Sequence, residues 1–331
     1  MDFSRKDIHT SVLKASKYSQ LTIDEDFNIP ESKDDIDKVI AKDGYVVVDE
    51  ILSEENRVKV VGEVYFKILY KTVSDKPDIE VYEGSIPFED QVNVDGINKN
   101  NMADSQCRLE DITVSVINSR KLEVRGLIGD GVCVYEDIKI NAAVDLENGQ
   151  GIECQHKKLS ATETVISKRD VYKIKEEIEI PQNKPNIKCI MWSSVALRNI
   201  ETKPLDNKLS IRGEVEIFVV YKGQEEHLPV QYLFSVRTIS KELECQGAKE
   251  GMVSQVDVFL GKGDVSIRSD KDGEDRVIGV EYNVDMNIKM YQEQQIDILH
   301  DMFSPQVEIQ PETCCFDYEN LLIRNQAKAK I

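Results

Sequence analysis

Long apolar runs are missing from this 331-residue chain. No stretch approaches the roughly 20 consecutive apolar residues that a membrane helix needs, so direct membrane insertion is not expected. An excess of basic charge is missing too. The 42 Lys and Arg face 61 Asp and Glu, a formal charge of −19, and no basic stretch outweighs its acidic surroundings. Nucleic acid is therefore not an expected partner, because phosphate binding draws its affinity from clustered Lys and Arg. The opening residues, Met1-Asp2-Phe3-Ser4-Arg5-Lys6-Asp7, lack the apolar stretch of a signal peptide. Residence in a reducing cytoplasm is the expectation that follows.

Metal and nucleophile motifs are equally scarce. The four histidines, His9, His156, His227 and His300, do not stand at metal-ligand spacings, and His156 two residues after Cys154 has no second pair to complete four zinc ligands. Seven cysteines, Cys107, Cys133, Cys154, Cys189, Cys245, Cys314 and Cys315, never form C-x-x-C. They read as buried small hydrophobes or exposed thiols, with the vicinal Cys314-Cys315 open to oxidative cross-linking between chains. Asp270-Lys271-Asp272-Gly273-Glu274-Asp275 looks like a calcium loop, but with Gly273 at position 6 the first ligand position falls on Arg268. Gly261-Lys262-Gly263-Asp264 has neither a dinucleotide-binding spacing nor a G-K-[ST] ending. No G-x-S-x-G occurs. The expectation is a protein that is not an enzyme, with no catalytic, cofactor-binding or metal residue to assign.

What the chain does contain is a repeat. Pro30 and Pro181, Ile36 and Ile187, Val39 and Ile190, Gly62 and Gly213, Tyr70 and Tyr221, and Gly96 and Gly247 all stand 151 positions apart. The densest match sets Val61-Gly62-Glu63-Val64-Tyr65-Phe66-Lys67-Ile68-Leu69-Tyr70 against Arg212-Gly213-Glu214-Val215-Glu216-Ile217-Phe218-Val219-Val220-Tyr221. Later the offset grows to about 156, aligning Leu122 with Ile278 and Tyr135 with Tyr291. Within each copy apolar residues alternate, as in Gly62, Val64, Phe66, Ile68 and Tyr70, and again in Gly213, Val215, Ile217, Val219 and Tyr221. Period two with one wet face is the habit of an antiparallel sheet. On that wet face Glu63 and Glu214 are the best repeated acidic candidates for chemistry, but nothing around them implies a cleft or a shifted pKa.

Further alternation at Ile112, Val114, Val116 and Leu122, Val124, and at Val265, Ile267 and Ile278 to Ile288, brackets two turn-like segments, Asn118–Lys121 and Asp270–Asp275. The second is about three residues longer, which a loop tip tolerates. Ile36-x-x-Val39-Ile40 and Ile187-x-x-Ile190-Met191 fit a single helical turn or a strand. The fold class expected is all-β: tandem antiparallel sandwiches or partly closed barrels. The expected organisation is an N-terminal arm over 1–20, a first domain over 21–140, a linker over 141–165, a second domain over 166–303, and a further linker over 304–331. Leu321-Leu322-Ile323 resembles Thr164-Val165-Ile166, and Lys330-Ile331 resembles Lys173-Ile174, so a third unit is expected to begin there and a longer protein to complete it.

The glycine-glutamate-valine strand, followed by Ser85-Ile86-Pro87-Phe88, Val94-Asp95-Gly96, Asp111-Ile112-Thr113-Val114 and Arg120-Lys121-Leu122-Glu123-Val124-Arg125, resembles the SPOCS domain, the spore-coat domain of anaerobic endospore formers. Copy two departs from it, with Val236-Arg237-Thr238-Ile239 and Asp275-Arg276-Val277-Ile278-Gly279 in place of the second and last of these runs. In that family the domain is repeated and often followed by a LysM module. The resemblance implies a morphogenetic scaffold of the spore coat, in the mother-cell cytoplasm at the forespore surface. The partners it implies are other spore coat proteins, among them the basement ATPase, the stage IV sporulation protein A. Open sheet edges leave self-association as a further expectation. A carbohydrate- or peptidoglycan-binding module is the alternative; against it stands the single tryptophan, Trp192, whose counterpart in copy one is Ala41.

Overall fold

The computed structural model describes residues 2–73, 78–147, 149, 151–225, 230–306 and 308–309. In chain order the strands are β1 (Asp2–Asn28), β2 (Ile36–Glu54), β3 (Arg57–Thr72), β4 (Ile79–Asn93), β5 (Met102–Asn118), β6 (Lys121–Glu147), β7 (Glu153–Glu179), β8 (Ile187–Leu205), β9 (Lys208–Gly223), β10 (Val230–Glu244), β11 (Val253–Ser269) and β12 (Asp275–Phe303). No helix occurs among the described residues. The segments at Ile36 and Ile187 that also fitted a helical turn begin strands β2 and β8.

Four three-stranded antiparallel sheets result, ordered β1-β6-β5 and β2-β3-β4 in the first unit, and β11-β12-β7 and β10-β9-β8 in the second. The two sheets of each unit stack face to face. Val58, Val60 and Val64 of β3 share one buried cluster with Ile128, Val132 and Val134 of β6, and Phe66, Ile68 and Tyr70 share another with Leu122 and Val124. Val215, Ile217, Val219 and Tyr221 pack against Ile278, Val280 and Met286 in the second unit. The all-β expectation holds, and each sheet keeps open edges rather than closing into a barrel.

Strands β7 to β11 start 151 residues after β1 to β5 and match them in length, at 27, 19, 16, 15 and 17 residues. The offset changes only at the last hairpin, where the single Ser119 between Asn118 and Arg120 is replaced by the six residues Asp270–Asp275 between Ser269 and Arg276. There the Asp270 carboxylate accepts from the backbone N–H of Asp272 and of Glu274, at 2.9 and 3.0 Å. Its acidic composition serves a turn in which side-chain oxygens stand in for backbone partners.

Residues 2–20, expected as an arm, form most of β1 and pair with β6, for example Ile8 with Ile140 and Lys17 with Val132. Residues 141–147 and 153–165, expected within a linker, continue β6 and β7 as paired strand. These strand ends project as two-stranded ribbons, which have one buried face instead of a full core and so carry few apolar residues. Ile8, Ile140 and Ala142 of one ribbon pack against Leu159, Ala161 and Ile296 of the other. The third-unit segment after residue 309 lies outside the described residues, as do His227, Cys314 and Cys315.

Three repeated devices lock each unit. Gly62 and Gly213 sit where a Cβ would lie 2.3 Å from the Val47 carbonyl and 2.4 Å from Ile200 Cδ1. Asn56 (φ 59°) and Asn207 (φ 57°) end two-residue turns, and each side-chain oxygen accepts from the backbone N–H of a left-handed glycine, Gly96 or Gly247, at 2.8 and 3.0 Å. Arg120 donates to the carbonyls of Lys33 and Pro30 at 2.9 Å each and to the Asp35 carboxylate at 2.8 Å. Arg276 donates in the same way to the carbonyls of Lys184 (3.2 Å) and Pro181 (3.0 Å) and to Asn186 Oδ1 (2.5 Å). These clamps tie the final hairpin to the turn between the first two strands of each unit. Arg120→Ala and Arg276→Ala should each lower the urea midpoint of their own unit, and Arg120→Lys should recover only part, since one ammonium cannot reach all the acceptors that the planar guanidinium fork spans.

Candidate functional site

Because Val64, Phe66 and Ile68 of β3 point into the core, Tyr65 and Lys67 between them point outward. Register then places Tyr45 of β2 opposite Tyr65, and both Asp43 of β2 and Glu83 of β4 opposite Lys67. This outer face lies against Trp192 and Ser193 of β8, Asp264 of β11 and Tyr282 of β12 across a cleft of about 510 Å³ between the units. Tyr45 and Tyr65 stack with ring centroids 5.4 Å apart and planes 20° from parallel. Lys67 Nζ lies 2.6 Å from Glu83 and donates to Ser193 Oγ at 3.1 Å. Lys262 Nζ lies 5.0 Å from the Tyr65 ring centroid, a cation–π contact across the units.

The phenols of this cleft stay protonated at neutral pH. Burial raises the pKa of Tyr45 and Tyr282 above the ordinary tyrosine value. For Tyr65 the hydrogen bond to Glu63 is the largest cause of the rise. The cleft thus offers neutral hydroxyl donors, aromatic faces and carboxylate acceptors, a set suited to holding a polar ligand. Among the described residues, neither His nor Cys lines it. Among the described residues, no group of three or more His, Cys, Asp and Glu is arranged to hold a metal ion.

Sequence candidates fall elsewhere. Glu63 accepts a hydrogen bond from the Tyr65 hydroxyl, and Glu214 accepts one from Asn199 Nδ2 at 2.7 Å, so each serves its own strand neighbourhood. His9, His156 and His300 are exposed, and His156 Nε2 stands 3.9 Å from Asp145. Cys245 is buried, Cys189 exposed, and Cys107, Cys133 and Cys154 are half-buried. Burial pushes the Cys107 thiol up to about 12. Trp192, the residue singled out by its lack of a counterpart, does line the cleft. Tyr45, Tyr65 and Tyr282 were not anticipated there; Tyr45 and Tyr65 are aromatic side chains at outward strand positions, whereas Tyr282 stands in the inward register of Ile278, Val280 and Val284 and packs against the core of the second unit.

A second polar group lies inside the first unit. Asp130 is 1% exposed, and its Oδ1 accepts from Ser105 Oγ at 2.7 Å. Asp130 Oδ2 and Asp90 Oδ2 are buried without a hydrogen-bond partner. Burial first, and then the charge of Asp90, hold the Asp130 carboxyl above the usual aspartate range, against the lowering pull of Ser105 and Cys107. In the second unit the positions of Ser105, Cys107 and Asp130 carry Val256, Val258 and Met286, so no polar group needs satisfying there.

Compared with protein-family models, the chain matches SipL, SPOCS domain twice, over residues 35–117 and 186–268. Both matches run from the last residue of the clamped turn, just before the second strand of a unit, to one residue short of the end of its fifth strand. No curated protein and no solved structure matches the chain.

Proposed function

The chain belongs to the SPOCS-domain family, and from that premise we propose that it is a non-enzymatic scaffold of the bacterial spore coat, acting at the forespore surface in the mother-cell cytoplasm and binding other coat proteins. The observation that carries the proposal is the family domain in two copies, packed against each other through ribbon and cleft contacts. Two units held together present several sheet faces and open edges on one body, and weak contacts made from one body reinforce each other. The partner expected first is the basement ATPase, the stage IV sporulation protein A. Co-sedimentation of the full chain with that ATPase and with purified coat proteins should recover a complex. If no coat component binds while cortex fragments do, the scaffold reading fails.

The cleft supports one other reading. Trp192, Tyr45, Tyr65 and Tyr282 beside Asp43, Glu83 and Asp264 form the mix of aromatic platforms and hydrogen-bonding groups that suits a sugar. The chain has one tryptophan, so its fluorescence reports on this cleft alone. Titration with peptidoglycan fragments should leave the emission unchanged if the protein is only a scaffold. A saturable change abolished by Tyr65→Ala would establish the carbohydrate module instead.

A further inference from the structure

Within the chain, the outer face of the β2-β3-β4 sheet lies against the edge that β8 and β11 form on the second unit, through Lys67 to Ser193 and Tyr65 to Lys262. The contact joins two different surfaces, so each unit also carries the half that it does not use there. On the equivalent outer face of the second unit, formed by β8, β9 and β10, the β10 side and the adjoining Phe218 and Val220 of β9 are apolar, flanked by Glu216 and by Lys222, which pairs with Asp78 of the first unit. Lys67, Glu83 and Val81 are replaced by Phe218, Phe234 and Tyr232. Along β10, Val230, Tyr232, Phe234 and Val236 are 49, 63, 57 and 44% exposed. Phe218 stands opposite Phe234 in register, and its ring lies 6.4 Å from that of Tyr232. A contiguous apolar sheet face of this kind marks a contact surface.

The other unused half is the β2–β5 edge of the first unit. Ile40 there is 50% exposed, whereas its counterpart Met191, beside the cleft residues Ile190 and Trp192, is 4% exposed. Val116 and Ile117 on β5 are 42 and 52% exposed, while their counterparts Ile267 and Arg268 are only partly so. We propose that a second copy of this chain covers the β8-β9-β10 face, seating its β2–β5 edge there and repeating between chains the face-to-edge contact made once within the chain. A contact between unlike surfaces leaves one face and one edge open in every pair, so copies add head to tail. The ribbons are already packed on each other, so the contact between chains rests on face and edge alone and is weaker than the one within it. The formal charge of −19 opposes association, and salt screens that repulsion. The proposal goes beyond the coat reading and does not need a coat partner.

Sedimentation velocity on the full chain, over a concentration series at low salt and at about 0.5 M salt, tests it. The native protein should grow with concentration, more so at high salt. A face variant, Phe218→Lys with Phe234→Glu, restores the residues of the first unit. An edge variant is Ile40→Lys with Ile117→Glu. All four positions are exposed or half-buried, and circular dichroism with a thermal melt confirms the folds. Each variant alone should associate at least about tenfold more weakly than the native chain, a loss that two charges placed in a desolvated contact readily produce. An equal mixture should form a one-to-one dimer and nothing larger, because only one intact face and one intact edge remain. A native chain that stays monomeric throughout, an edge variant that associates like the native chain, or a mixture that forms no dimer would each overturn the proposal.

Discussion

Ile68→Ala should destabilise the first unit by about 2–5 kcal/mol, the range for truncating a fully buried aliphatic side chain. Ile68 is 0% exposed and sits in a cluster with Phe66, Tyr70, Leu122 and Val124 contributed by both sheets. The loss combines the apolar surface no longer buried with a cavity that two stacked sheets cannot collapse to fill. Its counterpart in the second unit is Val219, also 0% exposed. Ile68→Val should therefore cost only about 0.5–1.5 kcal/mol, since the same fold accepts valine at that position. Urea unfolding followed by circular dichroism reads both. Two units need not melt together, so the first transition is the one to compare. If Ile68→Ala costs no more than Ile68→Val, the stacked-sheet core is wrong.

Asp130→Asn should stabilise the first unit at neutral pH by about 1–3 kcal/mol, because it removes a buried charge that lacks a full set of partners and keeps an oxygen to accept from Ser105. The sign follows from proton linkage. A carboxyl whose pKa is raised on folding binds its proton more tightly in the native state, so native stability is highest below the unfolded pKa. Stability then falls as pH rises through the folded pKa, and the penalty is complete above it. Burial and the neighbouring charge of Asp90 both raise the Asp130 carboxyl. The variant should lose this slope, so its advantage over the native protein should shrink as pH is lowered toward 4. Equal advantage at pH 4 and pH 7.5 would show that Asp130 does not titrate in this way. The second unit carries Met286 at this position with Val256 and Val258 around it, so the fold itself has no need of a carboxylate there.

Alternation in Val64, Phe66, Ile68 and in Val215, Ile217, Val219 determined the strands and their buried faces, because period two is a local consequence of the pleat. The spacing of 151 determined that there are two units, and the change to about 156 located the one loop that differs. Residues 2–20 and 141–165 were harder to read. A two-stranded ribbon needs only a few apolar residues, and those few, Ile8, Ile140, Leu159 and Ile296, find their cover on the other ribbon rather than on neighbours in sequence. The clamps of Arg120 and Arg276 left little local trace, since most of their acceptors are backbone carbonyls about 90 residues away and any residue supplies a carbonyl. The cleft was decided only by tertiary structure. Tyr45, Tyr65, Trp192 and Tyr282 come from three sheets of two units, and the packing of one unit against the other, through the ribbons and the ion pair of Lys289 with Asp104 at 2.6 Å, brings them together. Sequence periodicity determined what each unit is; the packing between units decided which of its faces are covered and which remain free to bind.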